Sequence, residues 1–258
     1  MKKRADLLLV ERGCAETRQK AQALLLAGQV LVGGQKVTKA GQMVDAGADV
    51  RLLGRMPFAS RAGPKLQGAL EHFRIEVAGR VCMDLGASTG GFTDCLLQNG
   101  ASRVVAFDVG RGQLAWKLQS DPRVTVRDGF NVRYITPADC PESVSLVVGD
   151  LSFISLGKVL GPLGQALRGG ASREPGPGEI DIVFLVKPQF EVGRGALGKG
   201  GIVRDRGKRM QALDAVAASA GGHGYRVRGS LESPVAGAGG NLEFLLYLAL
   251  PKGISSLP

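Results

Sequence analysis

Val81-Cys82-Met83-Asp84-Leu85-Gly86-Ala87-Ser88-Thr89-Gly90-Gly91-Phe92 is the stretch from which the fold can be read. A short apolar run ends in an acid, small residues follow, and a helical pattern begins at Phe92. A strand feeding a tight turn into a helix in an α/β domain has this form. Glycines at 86, 90 and 91 allow the backbone to approach a ligand where a Cβ would collide. The helix that follows turns its unpaired N–H groups toward the same place.

Two phosphate-binding patterns fail on this loop. A dinucleotide fingerprint beginning at Gly86 requires glycine at its third position, and Ser88 stands there. A P-loop requires Gly-Lys-Ser/Thr, but Gly91 is followed by Phe92. Asp84, at the strand end, suits a cation instead, and S-adenosylmethionine offers both an α-amino group and a sulfonium. Asp108 closes the next apolar run, Val104–Phe107, at the distance past the glycine loop where a ribose hydroxyl pair is caught. An acid that merely caps a helix is the alternative for either position.

Working outward, 258 residues accommodate one large domain, or a full domain with a small one. A hydrophobic share of 44% supports a true core and argues against disorder. No apolar run reaches the roughly 18–20 residues needed to cross a bilayer. Asp6, Glu11 and Arg12 interrupt the N-terminal apolar run before it attains signal-peptide length, so a cytoplasmic protein is expected. Cys14, Cys82, Cys95 and Cys140 form no Cys-x-x-Cys pair and only two histidines exist, so no metal site is expected.

The net charge of +10 is unevenly distributed. Residues 1–60 hold ten Lys/Arg against five Asp/Glu, so half the surplus lies in under a quarter of the chain. A small basic module for a polyanion is the reading, with a generally solvated basic surface as the alternative. Within it, residues 4–12 predict a helix stopped by Gly13, and Thr17 caps a second helix through Leu26. Val30–Val32 and Val50–Leu53 read as strands, with Gly33-Gly34 turning the chain between them. Thr17-Arg18, Ala21, Leu24-Leu25 and Gly28–Gly34 resemble the small RNA-binding domain named after a small-subunit ribosomal protein, the S-four domain. That resemblance implies RNA contact through phosphates and folded shape, with Arg18 and Lys20 foremost and Lys36 beside them.

The expected division is 1–54 for this module, a linker at 55–59, and 60–258 for the large domain. In the latter, strand-like and helix-like stretches alternate from 81 to 250, and runs such as Ile182–Val186 are apolar throughout. A doubly wound, mostly parallel α/β sheet covered on both faces is predicted. The Gly- and Pro-rich stretch 169–178 reads as a surface loop. Ligands of such sheets lie beyond the C-terminal ends of strands. Asp150 and Lys187 end two of them, and Pro188 holds Lys187 extended. A structural ion pair for Lys187, and a helix cap near Ser155 for Asp150, are the bland alternatives. Glu243 enters an apolar strand and demands a cation, with Lys65 a candidate across the cleft.

Lys65, Asp150, Lys187 and Glu243 together resemble the Lys-Asp-Lys-Glu set of FtsJ-type ribose 2′-O-methyltransferases. The segments that carry the likeness are Ser60–Leu66, Asp84–Phe92, Gly149–Ser155, Leu185–Glu191 and Gly240–Glu243. With the basic module in front, nearly the whole chain resembles the TlyA family, which joins an S-four domain to an FtsJ-like domain. The resemblance implies S-adenosylmethionine as cofactor and cytidine 2′-hydroxyls of ribosomal RNA, within ribosomal subunits, as substrate. Neither DNA nor a membrane is an expected partner. It implies Lys187 as general base, oriented by Asp150, with Lys65 and Glu243 placing the ribose. Asp84, Gly86, Ser88, Gly90 and Phe92 would hold the donor's methionine end, Asp108 its ribose, and Asp128 its adenine unless Asp128 is only a turn acid. Phe153 is either a stacking platform for a splayed base or a core residue; Glu191 and Arg194 touch RNA or close a loop. Three rivals stand beside this reading: a non-catalytic ribosome-assembly factor, a nicotinamide-dependent enzyme, and the hemolysin after which many members of the family are labelled.

Overall fold

The computed structural model describes residues 1–26, 28–53, 57–169, 178–193 and 197–252. Arg194, most of the expected 169–178 loop and part of the expected 55–59 linker lie outside the described residues. The chain divides into two compact units, Met1–Pro57 and Phe58–Pro258.

The first unit runs β1 (Lys2–Arg4), α1 (Ala5–Glu11), α2 (Arg18–Leu26), β2 (Val30–Val32), β3 (Gln35–Lys36), β4 (Met43–Asp45) and β5 (Val50–Leu52). Strands β3, β2 and β5 form an antiparallel sheet, and β1 pairs with β4. Leu8 and Leu9 of α1 and Ala21 and Leu25 of α2 close over Val30 and Val32. Sequence reasoning passes over β1 and β4, because Lys2-Lys3-Arg4 carries no apolar alternation and its strand form comes from the partner.

Asp6 is the polar centre of this unit. Although fully buried, it accepts hydrogen bonds from Arg4, Arg18, Gln22 and the Leu7 amide, at 2.8–3.1 Å. The Arg4 hydrogen bond chiefly holds its carboxyl well below the usual range, with Arg18 and Gln22 assisting against the cost of burial. A depressed carboxyl contributes stability that is complete above the unfolded-state pKa and is lost as pH falls toward the folded one. Asp6→Ala is expected to destabilise the full chain by about 2 kcal/mol at pH 7. Thermal melts of wild type and variant should converge as pH is lowered from 4 toward 2.

The second unit contains α3 (Gly63–Phe73), β6 (Val81–Leu85), α4 (Gly91–Gln98), β7 (Arg103–Asp108), α5 (Trp116–Gln119), β8 (Val124–Asp128), β9 (Val144–Gly149), α6 (Gly157–Arg168), β10 (Glu179–Val186), α7 (Pro188–Glu191), α8 (Arg206–Gly222), β11 (Arg226–Glu232) and β12 (Phe244–Pro251). Its seven strands lie in the order β11-β12-β10-β9-β6-β7-β8, and β12 runs antiparallel to both neighbours. The pairs from β10 through β8 are parallel. This is the doubly wound, mostly parallel sheet that the apolar runs predict. Alternate residues feed opposite faces. Met83, Leu85, Val147 and Phe184 pack with α6 and α8, while Cys82, Leu146, Val148 and Leu185 pack with α3 and α4.

Two expectations shift. In the alternating stretch after β7 the helix starts only at Trp116, because Gly112 is left-handed (φ 63°) and Gly110 is tied to the Asp108 carboxylate. Glu243 precedes β12 instead of lying inside it, since the ladder with β10 opens at Val186 and Phe244.

Candidate functional site

Chain order reverses between β6 and β9, which opens a crevice at their C-terminal ends. Gly86 (φ 85°) leaves β6 so close to β9 that a Cβ there would lie 3.0 Å from the Asp150 carbonyl oxygen. Gly90 (φ 96°) caps α4, and a Cβ on it would meet Leu118 at 2.2 Å. Between them Ser88 takes a left-handed turn, and its amide donates to Asp108 Oδ2 at 2.8 Å. Asp108 Oδ1 accepts from the Gly110 amide at 2.7 Å, so the acid that ends β7 is fixed from both sides.

A cleft of about 880 Å³ opens over this loop, lined among others by Asp108, Gln113, Phe130, Asp150, Phe153 and Phe190. A smaller pocket of about 140 Å³ joins Ser60, Ser88, Phe92, Asp150, Ser152 and Lys187. Asp84 lines neither. It lies fully buried beneath the loop, with Oδ2 accepting from the Thr93 hydroxyl at 2.6 Å and Oδ1 without a hydrogen-bond partner. Burial pushes its carboxyl up to about 7, opposed by the Thr93 bonds and reinforced by the negative charges of Asp150 and Asp108. Three carboxylates converging on one glycine loop, one with an orphaned oxygen, fit a cationic ligand such as the expected S-adenosylmethionine. Asp128, expected at the adenine or as a turn acid, stands at the end of β8. It is exposed, lines neither pocket and accepts from the Gly112 amide at 2.7 Å.

The four residues of the Lys-Asp-Lys-Glu set form two ion pairs. Lys187 Nζ lies 2.6 Å from Asp150 Oδ1, a charge contact without hydrogen-bond geometry, and donates to Ser152 Oγ at 2.7 Å. Lys65, on α3, donates to Glu243 Oε2 at 2.5 Å, and both are buried. Only the first pair lines the pockets. The antiparallel register that matches Val186 to Phe244 makes Lys187 and Glu243 the next residues on their two strands.

Phe153 is no core residue. Its ring is 92% exposed, its backbone is left-handed (φ 62°), and Phe190 is its ring neighbour at 5.2 Å. Holding a bulky residue in that region costs energy, and such strain gathers at functional sites. Asp150 does not cap α6; just before that helix Glu191 accepts from the Leu156 amide at 2.9 Å and the Ser155 hydroxyl at 2.6 Å. Ser152, Phe190 and Phe130 are site residues that sequence reasoning leaves out. Of these Ser152 alone leaves a trace, as a hydroxyl two positions past the strand-end acid. In the first unit, Arg18 binds Asp6 and Lys20 pairs with Glu16, while Lys36 is exposed.

The model of the FtsJ-like methyltransferases matches residues 58–250, and that of the S4 domain matches residues 3–50. The chain belongs to the TlyA family of FtsJ-like methyltransferases. It is 48% identical, over 95% of its length and 89% of the relative's, to the 16S/23S rRNA (cytidine-2′-O)-methyltransferase TlyA of Mycobacterium tuberculosis. It is 37% identical to Hemolysin A of Brachyspira hyodysenteriae, over 96% of this chain and all of that one. A solved structure from Streptococcus thermophilus, bearing the provisional name hemolysin, superposes with a TM-score of 0.72 at 41% identity. It covers 96% of this chain and 88% of that one. Among the described residues, no helix is long and apolar enough to cross a membrane.

The raised Asp84 carboxyl sets a pH test. An acid whose pKa rises on folding costs stability as pH climbs from its unfolded value of 3.8 to about 7, and no more beyond. Asp84→Asn should therefore gain on wild type across that window, by up to roughly 3–4 kcal/mol, then run parallel above pH 7. A cationic ligand favours the ionised acid, so wild-type donor affinity should rise toward pH 7 and level off, by calorimetry.

Proposed function

We propose that this chain is an S-adenosylmethionine-dependent methyltransferase of ribosomal RNA, acting on a cytidine ribose 2′-hydroxyl within ribosomal subunits in the cytoplasm. The observation that carries the reading is Lys187, held by Asp150 and Ser152, facing a pocket that it shares with the Gly86–Thr89 loop. Family membership supports the reaction class, and the Mycobacterium tuberculosis relative supports the nucleotide and the substrate.

When bound, the donor supplies an electrophilic methyl group on a sulfonium. Asp84 and the Gly86–Gly90 loop, with Ser88 and Phe92, take its methionine end, where the negative charge is concentrated. Asp108 takes its ribose, with Phe130 on the adjoining wall of the cleft, and Asp128 takes its adenine unless it only braces the Gly112 turn. A 2′-hydroxyl is a weak acid, so attack requires that its proton leave. Lys187, neutral when it acts, accepts that proton at Nζ. Asp150 and Ser152 fix the amine's direction, so it cannot swing out of line. Lys65 and Glu243, next to Lys187 in register, complete the charge network beneath the ribose. Phe153 offers an exposed face on which the splayed base stacks. Arg18, Lys20 and Lys36 of the first unit engage phosphates, which requires Arg18 and Lys20 to share their charge with Asp6 and Glu16. Exposed pairs such as Lys20–Glu16 are weak enough to yield.

The test is transfer of labelled methyl groups to purified unmodified subunits, with products mapped by ribose-methyl-sensitive sequencing. Lys187→Ala is expected to lose about 10²–10⁴-fold in rate with donor affinity unchanged. Phe153→Ala should raise the KM for RNA about tenfold or more, as the loss of one stacked base implies. Wild-type protein that binds the donor tightly yet methylates neither subunit would refute the assignment.

A further inference from the structure

We infer that Glu191 is a positioning residue for methyl transfer, locking the loop that follows Asp150 to the turn that follows Lys187. The inference rests on the methyltransferase reading above. Two chain segments make the site, and they come from different strands. Residues 150–156 leave β9 carrying Asp150, Ser152 and Phe153, and residues 187–191 leave β10 carrying Lys187 and Phe190.

Two tethers join them. The inner one is Lys187 with Asp150 and Ser152. The outer one is Glu191, whose two oxygens take the Ser155 hydroxyl at 2.6 Å and the Leu156 amide at 2.9 Å. Between the tethers, Phe153 and Phe190 meet ring to ring across the same seam.

The outer tether bears a load that the inner one cannot. Lys187 gains and loses a proton during turnover, so the charge on its amine, and with it the strength of its contacts to Asp150 and Ser152, changes from step to step. Glu191 lines neither pocket, and its two bonds, to the Ser155 hydroxyl and the Leu156 amide, involve no group that exchanges a proton with substrate. It also braces the left-handed turn at Phe153, a conformation that would relax without an anchor on the far side.

Capping α6 alone does not explain the residue. The Ser155 hydroxyl already accepts from the Gly157 amide at 3.2 Å, so the helix has a local cap from its own chain. Glu191 adds a contact 35 residues away in sequence at the expense of burying a carboxylate, whose pKa burial raises against the pull of its two hydrogen bonds. A bidentate carboxylate at this seam fixes the separation of the two loops as a neutral cap does not.

The experiment compares Glu191→Ala, Glu191→Gln and Ser155→Ala with wild type, measuring kcat, KM for RNA, donor affinity and a pH–rate profile. Glutamine can still accept from Leu156 and donate to Ser155, so Glu191→Gln should stay within about threefold of wild type with an unmoved pH profile. Glu191→Ala should lower kcat on the order of tenfold or more with donor affinity unchanged. Its effect in the Ser155→Ala background should be smaller than in wild type, because the two share one bond.

Wild-type kinetics in Glu191→Ala, or strict additivity with Ser155→Ala, would overturn the inference. So would a Glu191→Gln as slow as the alanine variant with a displaced pH profile, which would make Glu191 a proton carrier. Should Glu191→Ala fail to fold, Ser155→Ala decides: a reduced kcat with intact donor binding supports the tether, and an unchanged kcat refutes it. Wild type inactive on both subunits would strike the methyltransferase reading; an active wild type with indifferent variants would strike only Glu191.

Discussion

Everything at the catalytic end of the sheet depends on how closely β6 and β9 part. At Gly86 the backbone passes the Asp150 carbonyl with no space for a side chain, while the Asp150 amide donates to Leu85 at 3.1 Å. That single approach sets the Gly86–Gly90 loop and Asp150 on one crevice floor. Asp108 then pins the loop through Ser88, Lys187 reaches across from β10, and the cleft takes its shape from these fixed points. A parallel sheet that changes winding direction makes such a crevice wherever it does so. The glycine makes it narrow enough for one flat ligand and one ribose.

The electrostatics follow from the same crowding. Asp108 and Asp150 are close enough to raise Asp84's cost of ionisation, and of the three Asp84 alone is wholly cut off from water. Three acids thus gather on one side of the crevice, and Asp84 Oδ1 among them has neither a hydrogen bond nor an ion pair. On the substrate side a lysine faces them from a few ångströms away. That polarity suits binding of a cationic ligand on the side of the three carboxylates.

The sheet was legible in the sequence because its strands are buried on both faces. Uninterrupted apolar runs such as Ile182–Val186 have few other interpretations, and strand-end acids and lysines mark where they stop. The Lys-Asp-Lys-Glu set was likewise visible, as polar residues at apolar boundaries. What escaped notice depended on contact across long separations. Nothing local marks Glu191 as the partner of Ser155 and Leu156, 36 and 35 residues away. The strands β1 and β4 also escaped, as each is short, polar on its exposed side and defined by its partner alone. Phe153 was ambiguous because a phenylalanine reads as core by default, and only backbone geometry shows it turned outward.

The Lys65–Glu243 pair has a consequence for synthesis. Its members stand 178 residues apart, one on the first helix of the domain and the other at the threshold of its last strand. During translation the lysine emerges early and has no counter-charge until nearly the whole polypeptide has left the ribosome. A nascent chain that lacks β12 would have to keep that ammonium in water, which holds α3 away from its final seat. The last strand thus acts as a completeness check, and a fragment cut short before residue 243 retains the donor loop without a closed domain around it.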